Sequence, residues 1–206
     1  PDIPQRISNI VFMGMGEPLA NYENVREALK TCLKYTDIGP THITVSTVGV
    51  LPRLQQILGD PEWPHVRIAV SLHSADPVTR KAIVPTSFDQ FLEKLKEWGQ
   101  AYLKKFGNRR HHLTFEYVML SGVNDTERHA KVLAKFVHSI GGDIKVNLIP
   151  YNFIGSIFQR SGDIAISKFM EILERAHVTN TRRKTMGDDI AAACGQLITE
   201  NQGRNS

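Results

Sequence analysis

An α/β fold with about six mostly parallel strands is predicted by three features of the sequence. Short β-branched or apolar runs alternate regularly with segments whose apolar residues recur at helical spacing. The runs are apolar enough to be buried on both faces, the pattern of parallel strands joined by helical crossovers. At 206 residues the chain can bury one sizeable core, and no repeat, low-complexity segment or linker divides it. An open doubly wound sheet and a partial (β/α) barrel both satisfy this alternation. In either, function belongs just past the carboxyl ends of the strands.

Ile10–Met13 reads as a short strand that ends in a glycine-rich turn. Asn21 is placed to cap the next helix, in which Val25, Leu29, Cys32 and Leu33 share one face. Pro40 breaks the chain before the β-branched strand His42–Thr47. A short helix follows over Val50–Leu58, with Pro52 tolerated in its first turn. Val66–Leu72 is the third strand, and Asp76-Pro77 then supplies a cap and a first helical residue. Ser87-Phe88-Asp89-Gln90 matches the reciprocal capping pattern, opening a helix with Phe91, Leu92, Leu95, Trp98 and Tyr102 inward. After the basic loop Gly107–His112 comes the strand Leu113–Met119. Asn124 or Asp125 caps a helix running to about Ser139, which Gly141-Gly142 stops. The strand Ile144–Ile149 ends at Pro150, and Tyr151–Gly162 is a longer loop. A helix over Ile164–Ala176, a strand over Val178–Arg182 and a short helical segment over Asp189–Leu197 complete the pattern.

The composition, 41% hydrophobic and 22% charged, excludes collagen, coiled coil, disordered tail and membrane protein. No apolar run approaches the roughly 20 residues that a bilayer crossing needs, and Pro1–Arg6 lacks a signal layout. Two cysteines, Cys32 and Cys194, exclude a disulfide scaffold and an all-cysteine metal site within the chain. Such sparse use suits a reducing compartment. A first residue of Pro rather than Met predicts a portion of a longer protein. The net charge is +4, unevenly placed: residues 1–103 carry −1 and residues 104–206 carry +5. Lys104, Lys105, Arg109, Arg110 with His111 and His112, and then Arg182, Arg183 and Lys184, are two basic clusters. They are either solvated faces or phosphate contacts.

At the first strand end, Gly14 and Gly16 allow close approach of a ligand to the backbone, and the Glu17 carboxylate suits an ammonium group. The pattern is not a dinucleotide fingerprint, because Leu19 stands where the third glycine would be. Ser46 and Thr47 end the second strand with hydroxyls that suit a ribose, a carboxylate or a helix cap. Ser71, Leu72, His73 and Ser74 end the third, and Asn152 follows the fifth with donors and acceptors for a nucleobase edge. Cys32 lies on an apolar helix face and reads as packing, whereas Cys194 follows a glycine and two carboxylates among small neighbours.

Six strings in order and in register, Phe12–Leu19 (FMGMGEPL), Thr44–Gly49 (TVSTVG), Val70–Ser74 (VSLHS), Glu116–Asp125 (EYVML and GVND), Asn147–Asn152 (NLIPYN) and Arg183–Leu197 (RKTMGDDIAAACGQL), resemble the RlmN/Cfr family of radical S-adenosylmethionine RNA methyltransferases. The resemblance spans nearly the whole chain. It implies a partial (β/α) barrel of the radical SAM type over residues 1–200, with a polar tail over 201–206. It implies that Gly16, Glu17, Ser46, Ser71, Leu72, His73 and Asn152 bind S-adenosylmethionine, and that Cys194 is itself methylated and carries the methyl group. The adenine C2 carbon is electron-poor and has no lone pair with which to attack a sulfonium methyl. A thiolate can. In the family a second S-adenosylmethionine, cleaved at a 4Fe-4S cluster, then generates the radical that joins the carried methyl to the ring. A second cysteine resolves the adduct.

The cluster's C-x-x-x-C-x-x-C motif and the resolving cysteine lie upstream of the GEP strand in the family, and this sequence does not contain them. The chain is therefore expected to be a C-terminal portion, inactive alone. The family's substrates are 23S rRNA and tRNA, its electron donor a flavodoxin or ferredoxin. A cytoplasmic monomer without membrane contact is expected (organellar in a eukaryote). The string from Arg183 resembles the C2-methylating branch. The alternatives are a Cfr-like C8 methyltransferase, another radical SAM enzyme, or a non-catalytic nucleotide- or nucleic-acid-binding barrel.

Overall fold

A computed structural model describes residues 7–107, 113–152 and 157–183. Its six strands are β1 (Ile10–Phe12), β2 (Ile43–Thr47), β3 (Arg67–Ser71), β4 (Leu113–Met119), β5 (Ile144–Pro150) and β6 (Thr179–Arg182). They form one sheet in the order β1-β2-β3-β4-β5-β6, every neighbouring pair parallel. This order decides between the two architectures left open by periodicity. A doubly wound sheet reverses its strand order at a switch point; here the winding never reverses, as in a barrel. The edges β1 and β6 do not pair, so the barrel is partial. Just past these edges, Arg183 Nη1 lies 3.5 Å from Met13 Sδ.

The crossovers are α1 (Tyr22–Tyr35), α2 (Leu51–Gly59), α3 (Pro77–Ile83) and α4 (Phe91–Phe106) between β3 and β4, α5 (Glu127–Ile140) and α6 (Asp163–Arg175). The core lies between these helices and one face of the sheet: Ile43, Val45, Ile68, Val70, Phe115, Tyr117, Val146 and Leu148 against Leu29, Leu54, Leu95, Leu133 and Phe169. Cys32 packs at its margin, as expected. The other face is concave and polar. The prediction of strands buried on both faces therefore holds only near the middle of the sheet. β3 and β4 are buried almost throughout, whereas β2 and β5 alternate strictly. An unclosed barrel leaves its concave face reachable, and Thr44, Ser46, Arg67, Ser71, Lys145 and Asn147 line it.

Three expected caps are used otherwise: Asn21 precedes α1 without capping it, its Oδ1 accepting from Asn24 Nδ2. α4 starts from Gln90 in the left-handed region (φ 67°) with no side-chain cap, so the Ser87–Gln90 pattern forms a turn rather than a capping box. α5 starts from Thr126, because Asn124 and Asp125 are engaged in the preceding loop. Asp76 does cap α3, its Oδ1 accepting from Thr79 N at 2.9 Å. Cys194, Arg109, Arg110, Lys184 and the segment Asp189–Leu197 lie outside the described residues.

Candidate functional site

The carboxyl ends of β1 to β5 and the residue after β6 open on a cavity of about 200 Å³. Gly16, Glu17, Ser46, Ser71 and His73 converge there, with Glu116, Val118, Ile149 and Arg183 opposite. A larger cleft of about 480 Å³ lies around Phe88 and Phe136, away from the strand ends. The converging polar groups mark the mouth rather than the cleft.

Each wall of the mouth has a local cause. Gly16 has φ +94°, a conformation that a side chain would strain. A Cβ on Gly14 or Gly16 would meet nothing within 4 Å, so bare backbone faces open space. Glu17 braces the turn at which an ammonium group was expected. Its Oε1 accepts from Leu19 N at 2.9 Å and its Oε2 from Val48 N at 2.7 Å, tying the turn after β1 to the end of β2. Its first role is to hold Gly16 in place. Ser46 and Thr47 both line the mouth, and the Thr47 hydroxyl also accepts from Gly49 N.

Leu72 is placed differently from its neighbours. Its side chain is fully buried, its N–H donates to Glu116 O and its carbonyl accepts from Arg80 Nε. It spaces Ser71 and His73 and offers the mouth no side chain. His73 has φ +57°, costly for a side chain. Its surroundings over-determine it. Its N–H donates to Glu116 O, its carbonyl accepts from Asn124 Nδ2 at 2.8 Å, and its Nδ1 accepts from Val118 N at 3.2 Å. Because Nδ1 accepts, the proton of the neutral ring sits on Nε2.

Burial and then the Arg80 charge lower the His73 pKa from 6.5 to about 4. The folded imidazole stays neutral at pH 5, where the unfolded chain has taken up its proton. Stability is therefore fully present above about pH 6.5 and falls progressively toward pH 4. We expect His73→Gln to flatten this part of the profile. His129, also lowered by burial, leaves a smaller slope. Denaturant midpoints at pH 7, 5.5 and 4 measure this; equal slopes in both proteins would refute it.

Three residues that the sequence did not assign to the site line or brace the mouth: Glu116 lines it, and Arg80 and Asn124 stand behind it. Glu116 is 3% exposed on β4. Its Oε1 accepts from Asn147 Nδ2 at 3.0 Å, while Oε2 is buried without a partner among the described residues. Burial pushes its carboxyl up, opposed by Asn147, Arg183 and Lys145. Arg80, fully buried, directs Nε to Leu72 O and Nη2 to Val48 O and Ser71 O, with its guanidinium 3.7 Å from the Phe91 ring centre. Asn124, fully buried, bonds His73 O, Val118 O and Leu120 N. An acidic residue inside an apolar strand was the one available signal, for Glu116.

Asn152 stands beyond the mouth lining, with its Oδ1 buried and unpartnered. The basic clusters separate. Lys104 and Lys105 end α4, at the side where strands begin, and Lys105 Nζ donates to Leu58 O. Arg182 and Arg183 end β6 at the mouth, where Arg182 pairs with Asp163. Among the described residues no three His, Cys, Asp or Glu side chains are grouped to hold a metal, and no helix is long and apolar enough to cross a membrane.

Residues 3–133 match the family profile of the radical SAM superfamily. A protein of Syntrophobacter fumaroxidans named dual-specificity RNA methyltransferase RlmN is 40% identical over 198 residues, 95% of this chain and 56% of that one. Its namesake from Xanthomonas campestris is 39% identical over 207 residues, 96% of this chain and 50% of that one. The chain thus spans about half the length of these curated relatives. A radical SAM methyltransferase structure from Sphaerobacter thermophilus superposes with a TM-score of 0.84 at 35% identity, over 93% of this chain and 55% of that one. A domain of pyruvate-formate lyase-activating enzyme from Bacteroides vulgatus, at 20% identity and a TM-score of 0.65 over 86% of this chain and all of that one, shares the fold alone. A profile matched over more than half the chain, on an unclosed parallel barrel with its polar groups gathered at the strand ends, has one meaning: the chain belongs to the radical SAM superfamily.

Proposed function

We propose that this chain is the barrel portion of an RNA methyltransferase that methylates C2 of adenosine in 23S rRNA and tRNA, with Cys194 as the methyl carrier. The observation that carries the reading is the gathering of Gly16, Glu17, Ser46, Ser71 and His73 in one cavity, in a chain about 40% identical to proteins of that name.

The superfamily's cofactors are S-adenosylmethionine and a 4Fe-4S cluster. The mouth suits the first. S-adenosylmethionine offers an ammonium group, ribose hydroxyls and an adenine amine, all donors. Glu116 Oε2 and Asn152 Oδ1 are buried acceptors without donors, and the glycine turn leaves room for the amino-acid end. When bound, S-adenosylmethionine supplies the methyl group and the radical chemistry. The chain's own residues bind and orient. The backbone at Gly16 holds the amino-acid end. Ser46 and Ser71 present hydroxyls, and the neutral His73 presents Nε2–H without placing a second positive charge beside the sulfonium. The cluster does not fit these residues, because two cysteines cannot supply three thiolates. Arg182, Arg183, Lys184, Lys104, Lys105, Arg109 and Arg110 contact RNA phosphates in this reading. The same reading places the enzyme in the cytoplasm as a monomer reduced by a flavodoxin or ferredoxin.

The test uses the full-length enzyme purified anaerobically. Mass spectrometry of the wild type is expected to show one added methyl on the Cys194 peptide, and digests of treated rRNA to contain 2-methyladenosine. Cys194→Ala is expected to yield none. Methylated RNA from Cys194→Ala would overturn the carrier role, and 8-methyladenosine would overturn the position.

A further inference from the structure

We propose that Glu116 is a ligand-binding residue of the mouth, whose Oε2 accepts a hydrogen bond from a ribose hydroxyl of the adenosyl cofactor. The proposal rests on the reading of the mouth as the S-adenosylmethionine site.

Buried polar atoms are nearly always partnered, and an exception in a cavity wall calls for a missing donor. Glu116 is such an exception and is not loosely held. Thr181 Oγ1 donates to Asn147 Oδ1 at 2.8 Å, which turns the amide so that Asn147 Nδ2 donates to Glu116 Oε1. The carboxylate is thereby fixed from below with one oxygen satisfied and the other buried without a partner among the described residues, in a side chain that lines the mouth. Glu17, the other carboxylate in that lining, has both oxygens on backbone N–H groups.

Position selects the donor. β4 lies three strands from β1, roughly 14 Å along the sheet at about 4.8 Å per strand. With the ammonium end at the Gly16 turn, the far half of the cofactor reaches β4. Glu116 pairs in register with Ser71, so two groups suited to hydroxyls stand side by side. The adenine amine, further out, falls toward Asn152 past β5, whose Oδ1 is a second unpartnered acceptor. The ribose is what remains for Glu116. A ribose hydroxyl there gives the buried oxygen the donor that it lacks.

The experiment measures equilibrium binding of S-adenosylhomocysteine, 5′-methylthioadenosine and 2′,3′-dideoxy-5′-methylthioadenosine to full-length wild type and Glu116→Gln. Wild type is expected to bind the dideoxy compound at least tenfold more weakly than its parent. Glu116→Gln is expected to lose at least tenfold in S-adenosylhomocysteine affinity and to discriminate the two nucleosides much less. Its melting temperature should be unchanged or higher, because a buried carboxyl that is costly to ionise becomes a neutral amide of the same shape. A purely structural Glu116 would instead lower the melting temperature and leave ribose discrimination intact. Wild-type affinity in Glu116→Gln overturns the proposal, as does wild-type indifference to the ribose hydroxyls. Failure of wild type to bind S-adenosylhomocysteine removes the reading beneath it, and the proposal with it.

Discussion

Asn124→Ala is expected to cost about 3–5 kcal/mol of folding stability and to weaken ligand binding in the mouth with it. The side chain is fully buried and uses both donors and one acceptor site on backbone. Nδ2 donates to His73 O at 2.8 Å and to Val118 O at 2.7 Å, and Oδ1 accepts from Leu120 N at 2.8 Å. Tyr117 Oη reaches Asn124 O at 2.7 Å, so the residue joins β4, the following loop and the end of β3. Truncation strands three backbone groups where water does not reach, each costing about 1–3 kcal/mol, with partial relaxation keeping the total below the sum. His73 also loses the bond that holds its left-handed backbone. Asn124→Asp should be no better, since it sets an acceptor against two carbonyls. Asp125→Ala is the milder comparison: its Oδ1 bond to Gly122 N is exposed, but its Oδ2 accepts from the buried Ser161 Oγ at 2.8 Å, and a loss of about 1–2 kcal/mol is expected. Denaturant unfolding measures all three. A cost below 1 kcal/mol for Asn124→Ala would show that the loop re-forms its bonds without the amide.

Asn124 also marks where sequence reasoning stops. An Asn between a strand and a helix reads as a cap, because local propensity is all that one sequence displays. Its actual partners are 51 residues away at His73 and across the loop at Val118. The six strands and their helices were legible because hydrophobic periodicity is local. Leu113–Met119 is matched residue for residue. What was not legible was the state of the concave face. Polar residues at alternate positions of β2 and β5 were visible, but only the unclosed winding explains why they are tolerated. The same limit applies to Glu17. Its type and place pointed to a ligand; its bonds to Leu19 N and to Val48 N, 31 residues on, which brace the turn, were not visible. Strand-end serines and His73 were found correctly as neighbours because a parallel barrel must bring successive strand ends together.

A series at Arg80 is expected to separate packing from charge. The guanidinium is buried without a carboxylate partner; it is held by the carbonyls of Leu72, Ser71 and Val48 and by the Phe91 ring. Desolvation lowers its pKa to about 10, so it is still a cation at neutral pH. Arg80→Ala should cost about 3–5 kcal/mol through the cavity and the lost cation–π contact. Arg80→Met refills the space and removes the cost of burying a charge, so less than half of that loss is expected. Ligand affinity should nevertheless fall about tenfold in both, about 1.4 kcal/mol, because no side chain then ties the ends of β2 and β3 together behind Ser71 and Val48. His73 supplies an independent readout. Its pKa is lowered first by burial and second by Arg80. In Arg80→Met it should therefore rise above 4 yet stay below 6.5, followed by NMR of the ring. An unmoved His73 titration in a folded Arg80→Met protein would mean that the cation is screened from the mouth. Full ligand affinity in that variant would mean that the strand ends hold their positions unaided, since packing has been restored and only the grip on the carbonyls is gone.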